Sequence, residues 1–537
     1  MGRVHSEWLR VAVPEVDRRT VLKGLATLGL APALSACGDS APQQAGPAPD
    51  VPADGPVRFD HGVASGDPYA DSVVLWTRVT PADDADVPVA WELAGDEGMQ
   101  DIVASGVFVT NAARDYTVKV MADRLRPATR YWYRFRCGDA VSIVGRTKTA
   151  PSADAAPEQL KFAFASCAWY SMGYFNAYRG IAEKADLDVV LMLGDYIYEY
   201  GGDELLSTPF ALGRYMAPGH EIVTLADYRQ RHALYKTDPD LQAAHAAHPW
   251  ICTWDDHEST NNSYTEGADN HTEGEEGVWT QRKRVSAQAY FEWLPVRDEF
   301  NPNNGPGAVL YRRLQYGDLA EFFVLDTRLE GRSVQPEDNE AAADPARHMI
   351  SRAQEEWLLD GMRSTTARWK IVAQQTMLSQ LYVAPNRPFT RDSWDGYTAQ
   401  RGRLLDAFAG IDDVVVITGD IHTAFCNELT PDPTSSSYQP GVSGSVGVEF
   451  VCPSITSQGL PPAVVNALQP FNRHIRYAEG ALETNHGYVV VTATPQWCDA
   501  AWMYALSVLT PIKAERPGQV WRVNSGETTL RLSRFSR

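Results

Sequence analysis

The chain has 537 residues, 44% of them hydrophobic and 15 of them tryptophan, enough to bury a large core and to form two or three domains. Its 48 Lys plus Arg stand against 68 Asp plus Glu, a net charge of −20 that excludes a basic surface gripping nucleic acid or anionic lipid. An acidic balance fits a protein that gathers hard cations, and equally one that is merely soluble.

Residues 1–37 read as an export signal. Arg18 and Arg19 are followed by Lys23 and by an apolar stretch too short to cross a bilayer, the outline of a twin-arginine signal whose export machinery is an expected partner. Its end, Leu34-Ser35-Ala36-Cys37, has the outline of a lipobox and leaves two readings. Either Cys37 becomes the lipidated first residue, anchoring the chain to a membrane, or ordinary cleavage occurs near the same small residues. Both place the protein outside the cytoplasm, in the periplasm or at the cell surface, and it is expected to be a monomer. Twin-arginine export carries folded proteins, so a cofactor loaded beforehand travels with the chain.

Residues 38–56, rich in Pro, Ala, Gly and Asp, read as a disordered linker. From 57 to 150, short β-rich runs such as "SVVLWTRVT", "VPVAWELAG" and "RYWYRFRCG" alternate with turn residues, which predicts an immunoglobulin- or fibronectin-like β-sandwich. In "LRPATRYWYRF" a Tyr just after the turn can tie its strand back to that corner. From 160 to 525 strands and helices alternate: "KFAFASC", "LDVVLMLGD" and "WICTWDD" are buried strands, and "LADYRQRHALYKTDPDLQAAHAA" is helical with a break at Asp238-Pro239. Hairpin-like pairs further on predict mixed rather than purely parallel sheets. The seven cysteines are too sparse for a disulfide framework, and most are expected to be buried thiols.

Polar residues collect where these strands end, the usual ligand-binding edge of an open α/β sheet. "FASCAWY" carries Cys167, "LGDYIYE" Asp195 and Tyr198, "TWDDHESTNN" Asp255, Asp256, His257 and Asn262, and "ITGDIHTAF" Asp420 and His422. An acid after one strand is usually a cap or turn residue. Four such ends together point instead to a metal centre.

In their order these motifs resemble the metallophosphoesterases and, within them, the PhoD-type alkaline phosphatases. The class pattern of Gly-Asp, Asn-His-Glu/Asp and Gly-His-x-His is similar to Gly194-Asp195, Asp256-His257-Glu258 and Gly419-Asp420-Ile421-His422 here. "DPDLQAAHAAHPWICTWDDHE", "HGVASGDPYADSVVLWTR" and "WDGYTAQRGRL" extend the resemblance over nearly the whole mature chain. It implies an αββα sandwich with two mixed sheets, preceded by the all-β domain, and an alkaline phosphatase that hydrolyses phosphate esters.

A phosphoester hydrolase must neutralise phosphoryl charge and supply a nucleophilic water, and adjacent metal ions do both. Asp195 has a spare oxygen to bridge two ions, and Tyr198 can offer a phenolate, a spacing that also resembles the purple acid phosphatases. Thiolate with phenolate suits Fe(III) better than Ca²⁺. The resemblance implies one Fe(III), with Cys167, Asp195, Tyr198 and His422 on its side. Asp256 and Asp420 replace Asn and His of the broad class, giving an all-oxygen pocket that favours a hard ion, Ca²⁺ ahead of Mg²⁺ or Mn²⁺; the resemblance implies calcium, with Gln375 or Asn262 completing its shell. His257 matches the class histidine that helps the leaving oxygen depart. Arg328 either clamps a phosphate oxygen or bridges to Asp326 or Glu330. A phospholipase D-like phosphodiesterase of the same family and a non-catalytic, phosphate- or calcium-binding surface lipoprotein are the rival readings.

Overall fold

Strands such as Val189–Met192 and Val414–Thr418 are apolar on both faces, and the fold covers both faces of each. In the computed structural model, which describes residues 43–53, 55–202, 212–481 and 484–533, they form the centres of two facing sheets. The export signal and Cys37 lie outside the described residues.

In the ten-stranded sheet Leu160–Ala165, Val189–Met192 and Pro249–Cys252 run parallel, and Gly487–Ala493 and its neighbours continue antiparallel on one side. In the seven-stranded sheet Ala320–Val324, Trp369–Ala373, Val414–Thr418 and Gly447–Val451 are parallel, flanked by antiparallel strands. Both sheets are mixed, as the hairpin-like pairs predict. Side chains such as Phe162, Leu191, Phe322, Ile371 and Phe450 interleave between them, with the rings of Phe162 and Phe322 edge to face at 5.2 Å.

Helices cover the outer faces. Asn176–Ala182, Leu225–Tyr235, Pro239–Ala247 and Trp279–Trp293 bury Tyr178, Tyr228, Leu241 and Tyr290 against the first sheet. Arg352–Ser364 and Thr398–Phe408 bury Leu358, Leu404 and Phe408 against the second. The helical break at Asp238-Pro239 is a cap: the Asp238 carboxylate accepts the amides of Asp240 and Leu241 at 2.9 and 3.1 Å.

The N-terminal β region packs Val87–Ala94, Ile102–Thr110 and Arg130–Cys137 against Val63–Gly66, Val73–Arg78 and Thr117–Ala122. The hydroxyl of Tyr131 accepts the Arg126 amide at 2.9 Å, tying its strand to the preceding turn. Two expectations need correction. The second layer of this sandwich is not its own sheet: Val63–Gly66 pairs in parallel with Pro249–Cys252, so the ten-stranded sheet runs through both regions and one compact unit spans Ser40–Arg537. Pairing removes an edge that a free sandwich would leave open.

The supposed linker is ordered where it is described. Gln44 exchanges two backbone hydrogen bonds with Ser105 at 3.0 and 2.8 Å, the Ala48 amide reaches Glu92 at 3.1 Å, and Gly138 N–H reaches the Val51 carbonyl at 3.0 Å. A segment poor in apolar residues is held here by pairing with an edge strand rather than by its own burial. The six described cysteines are buried free thiols.

Candidate metal centre

Every residue of the centre hangs on the turn that follows a parallel strand, so the sheets aim all of them at one edge. The turns are sharp: Cys167, Asp195, Asn262, Asp420 and His422 all have positive φ, between 53° and 63°, conformations that cost roughly 1–3 kcal/mol each in residues other than glycine. Gly194, at φ 103°, makes the close approach that this crowding needs, since a Cβ there would lie 2.3 Å from the Cβ of Asp255. Glu258 laces two of the turns together by accepting the amides of Asp195, Tyr196 and Asp255 at 3.0, 2.6 and 2.7 Å.

Three groups of ligand atoms result, each within 4.8 Å: Cys167, Asp195 and His422; Asp195, Asp256 and His257; and Asp255, Asp256 and Asp420. Asp195 belongs to two of them. The Tyr198 hydroxyl lies 3.0 Å from Asp195 Oδ2 and 3.2 Å from His422 Nε2. His422 Nδ1 faces the Gln458 carbonyl at 2.9 Å, which fixes the proton on Nδ1 and leaves the Nε2 lone pair on the side of Tyr198 and Asp195. Thiol, phenol, carboxylate and imidazole therefore converge with their acceptor lone pairs.

Asp195 Oδ1 and Asp255 Oδ2 are buried and find no hydrogen-bond partner among the described residues. Uncompensated buried acceptors are costly, and cations are what this donor set lacks. Burial pushes the Asp255, Asp256 and Asp420 carboxyls above their ordinary range, with neighbouring carboxylates adding to the shift. At Asp195 burial acts the same way, but His257, His422 and Arg328 outweigh it and hold the group ionised. The residues thus fit adjacent metal sites: Asp195 is shared between a group with sulfur, phenol and imidazole ligands and one with Asp256 and His257, and Asp256 links that second group to the carboxylates Asp255 and Asp420.

His257 lies beside the shared carboxylate, with Nδ1 2.6 Å from Glu199 Oε2. Burial alone would lower its pKa, but Glu199, Asp256 and Asp195 raise it well above the usual histidine value. Burial likewise disfavours the Glu199 carboxylate, yet His257 and the amide of Asn261, 2.7 Å from Oε1, keep it ionised. The Tyr198 ring is sandwiched between Trp169, stacked at 4.7 Å, and His257 at 4.2 Å, which fixes the planes of both functional rings.

The centre therefore gathers Cys167, Asp195, Tyr198, Asp256, His257, Asp420 and His422. Three expectations change. Arg328 is neither open to a phosphate nor bridged to Asp326 or Glu330. Its guanidinium is fully buried, bonded through Nε to Asp255, through Nη1 to Asp392 at 2.5 Å and through Nη2 to Asp420 at 2.7 Å. Four acids around the site, Asp256 among them at 3.5 Å, use it as their counter-ion.

Gln375 does not face the site. Its carbonyl accepts from the Thr327 amide and hydroxyl at 3.1 and 2.6 Å, and its amide donates to Thr253 and Leu325 at 2.8 and 2.9 Å. Asn262 touches the cluster through its backbone, which donates to Asp256 at 2.6 Å, while its side-chain amide donates to Asp269. Glu199, Asp255, Glu258 and Asp392 were not assigned from sequence. Asp255, the first of two adjacent acids after an apolar strand, and Glu258, the last residue of the Asp256-His257-Glu258 motif, carry a local signal, whereas Asp392 carries none. His486, also unassigned, reaches the neighbouring segment through its Nδ1, 2.9 Å from Ser454.

Comparison with known proteins identifies the family. The PhoD-like phosphatase family model matches residues 162–502, and that of the PhoD-like phosphatase N-terminal domain matches residues 44–151. The chain is 40% identical to alkaline phosphatase D of Bacillus subtilis (strain 168) over 459 residues, covering 82% of this chain and 76% of that protein. A solved structure of PhoD superposes with a TM-score of 0.82 at 38% identity, covering 89% of this chain and 92% of the other. This chain belongs to the PhoD-like phosphatase family.

Proposed function

We propose that this chain is an exported, metal-dependent alkaline phosphatase that hydrolyses phosphate esters, with Fe(III) held by Cys167, Asp195, Tyr198 and His422, and Ca²⁺ by Asp195, Asp255, Asp256 and Asp420. The observation that carries the reading is the partly unpartnered Asp195, shared between the Cys167 and His422 group beside Tyr198 and the group with Asp256 and His257, with Asp256 shared in turn with the carboxylates Asp255 and Asp420. Bound there, such ions supply positive charge to phosphoryl oxygens and make water acidic enough to act as nucleophile near neutral pH.

The chain's own residues do the rest. Glu199 binds His257 Nδ1–H, which fixes the tautomer and leaves Nε2 as the atom that passes a proton to the departing alcohol oxygen. Arg328 keeps Asp255 and Asp420 in position without touching substrate. Trp169 and Tyr200, half-buried beside Tyr198 and His257, form an aromatic rim next to the ligand groups. Residues 160–525 constitute the catalytic part and 57–150 the accessory sandwich. Arg18, Arg19 and Cys37 support twin-arginine export and attachment to a membrane.

Hydrolysis of p-nitrophenyl phosphate by the purified protein, its loss on chelation and its return with calcium test the assignment. Parallel assays with bis-p-nitrophenyl phosphate and phosphatidylcholine separate monoester from diester and phospholipase D-like activity. Phosphate binding without turnover at any pH, in protein of full metal content, would make it a non-catalytic binder instead.

A further inference from the structure

The segment after strand Gly447–Val451 lies along Ser166 and Cys167 and brings the Ser457 hydroxyl to one ligand atom, while Ser166 itself faces another. Ile455 N–H donates to the Ser166 carbonyl at 3.0 Å, and the amides of Thr456 and Ser457 both lie 3.3 Å from the Cys167 carbonyl. This register places Ser457 Oγ 2.7 Å from Tyr198 Oη and 3.0 Å from the Cys167 carbonyl. Ser166 Oγ lies 3.0 Å from Cys167 Sγ and 3.3 Å from the thiol of Cys452. Both serines are at most 1% exposed. Ser166 is pinned by Gly419, where a Cβ would sit 2.6 Å from both Cβ and Oγ of the serine.

The other neighbours of Tyr198 Oη only accept. Asp195 is a carboxylate, and His422 Nε2 is left unprotonated by the bond from its Nδ1 to Gln458. Once Tyr198 binds a cation as phenolate, the Ser457 hydroxyl is the donor that faces its oxygen. Likewise, once Cys167 is a thiolate, the Ser166 hydroxyl can turn its proton toward Sγ while accepting one from Cys452.

We propose that Ser457 and Ser166 are positioning residues that set the electron-donor strength of Tyr198 and Cys167 by donating one hydrogen bond to each bound ligand atom. The inference rests on the iron assignment above. A hydrogen bond to phenolate or thiolate draws electron density away from the metal, so it raises the energy of ligand-to-Fe(III) charge transfer and favours the reduced ion. Cys452 extends the second bond into a relay, and its place at a strand end beside Ser166 then has a chemical purpose.

The test uses the purified metal-containing enzyme and reads its visible spectrum, iron content and Fe(III)/Fe(II) potential. Ser457→Ala is expected to move the tyrosinate band to longer wavelength and lower the potential at unchanged iron content, and Ser457→Thr to restore both. Ser166→Ala is expected to shift the thiolate band in the same sense and Cys452→Ala to shift it less. Wild-type protein produced in D₂O supplies a reading free of any folding defect: resonance Raman bands of the metal–phenolate and metal–thiolate stretches should move relative to protein made in H₂O. Identical spectra and potentials for wild type and Ser457→Ala, or Raman bands indifferent to D₂O, would overturn the inference and leave the iron assignment standing. Wild-type enzyme that is active but colourless and iron-free would instead remove the iron assignment and the inference together.

Discussion

Tyr196 and Tyr198 stand two residues apart and serve opposite kinds of buried polar cluster. Tyr198 faces the acids, where Asp195 and Asp255 each leave an oxygen without a partner. Tyr196 Oη instead meets His245 Nε2 at 2.9 Å, in a cluster of nitrogens where Lys236 Nζ, both ring nitrogens of His232, His61 Nδ1 and His245 Nδ1 have no hydrogen-bond partner among the described residues. The two clusters handle burial differently. The basic one discharges: burial brings His232 down to about 3, His61 to about 4 and Lys236 to about 7. The acidic one cannot fully do the same, because histidines and Arg328 hold Asp195 ionised, and Arg328 with Arg332 does so for Asp392. A cluster that sheds its charge is complete as it stands, whereas one that keeps charge and strained backbone asks for cations.

The sharpest way to break that contrast is Asp195→Asn. It removes the shared ligand, so kcat/KM on p-nitrophenyl phosphate should fall by about 10³-fold or more, the several kcal/mol that metal ions contribute. In chelator the same variant should melt below wild type, because His257, His422 and Arg328 hold the Asp195 carboxylate ionised and the neutral amide forfeits those interactions. An unchanged or higher melting temperature in chelator would mean that the acidic cluster does not keep this charge.

Lys236→Met addresses the basic side. The Lys236 ammonium ordinarily titrates at 10.5, and here near 7, beneath the rings of Trp76 and Tyr196 and beside His232 and the Cys252 thiol. Between these values the unfolded chain holds a proton that the folded one has released. Folding stability therefore rises as pH goes from about 7 to 10.5, and the penalty is complete below 7. The shift corresponds to a few kcal/mol. Denaturant midpoints at pH 7 and 9.5 should differ more for wild type than for Lys236→Met, and equal slopes would show that Lys236 does not titrate in this range.

The strand ends were legible in sequence because a parallel strand aims the turn after it, and Cys167, Asp195, Tyr198, Asp256, Asp420 and His422 all sit in such turns. What stayed hidden depends on long-range approach. Glu199 follows Tyr198 directly, but its partners Thr260, Asn261 and Asn270 belong to a loop some sixty residues on. Asp392 reaches Arg328 from another loop altogether, so neither the four-acid cage nor the true partners of Arg328 could be read locally. Gln375 misled for the converse reason: it follows a buried strand as a ligand should, and its amide turns inward to satisfy Thr253, Leu325 and Thr327. The sandwich was legible from its short strands, but alternation along Val63–Gly66 carries no sign of the neighbour it pairs with.

Glu199→Gln is a milder probe on the acidic side. The amide keeps the size and loses the charge that orients His257, so kcat should fall roughly 10- to 100-fold with KM little changed. The pH–rate profile gives the distinguishing readout. Without Glu199 the imidazolium is less stabilised, so the alkaline limb expected where His257 loses the proton it donates should move to lower pH. A uniform loss with an unmoved profile would make Glu199 a purely structural residue.

The smallest effect belongs to Tyr196→Phe, which bears most directly on the pairing of the two tyrosines. It deletes one buried hydrogen bond, to His245, and leaves another imidazole nitrogen unpartnered, at a cost of about 1–2 kcal/mol. Activity, iron content and visible colour should all be retained, because the Tyr196 backbone still donates to Glu258 at 2.6 Å and so still shapes the turn that presents Asp195. Tyr198→Phe should do the reverse, abolishing the tyrosinate charge-transfer band while its own burial between Trp169 and His257 keeps the fold intact. If Tyr196→Phe dims the colour as well, the two clusters communicate through the strand end, and the division between a self-sufficient basic side and a metal-requiring acidic side no longer holds.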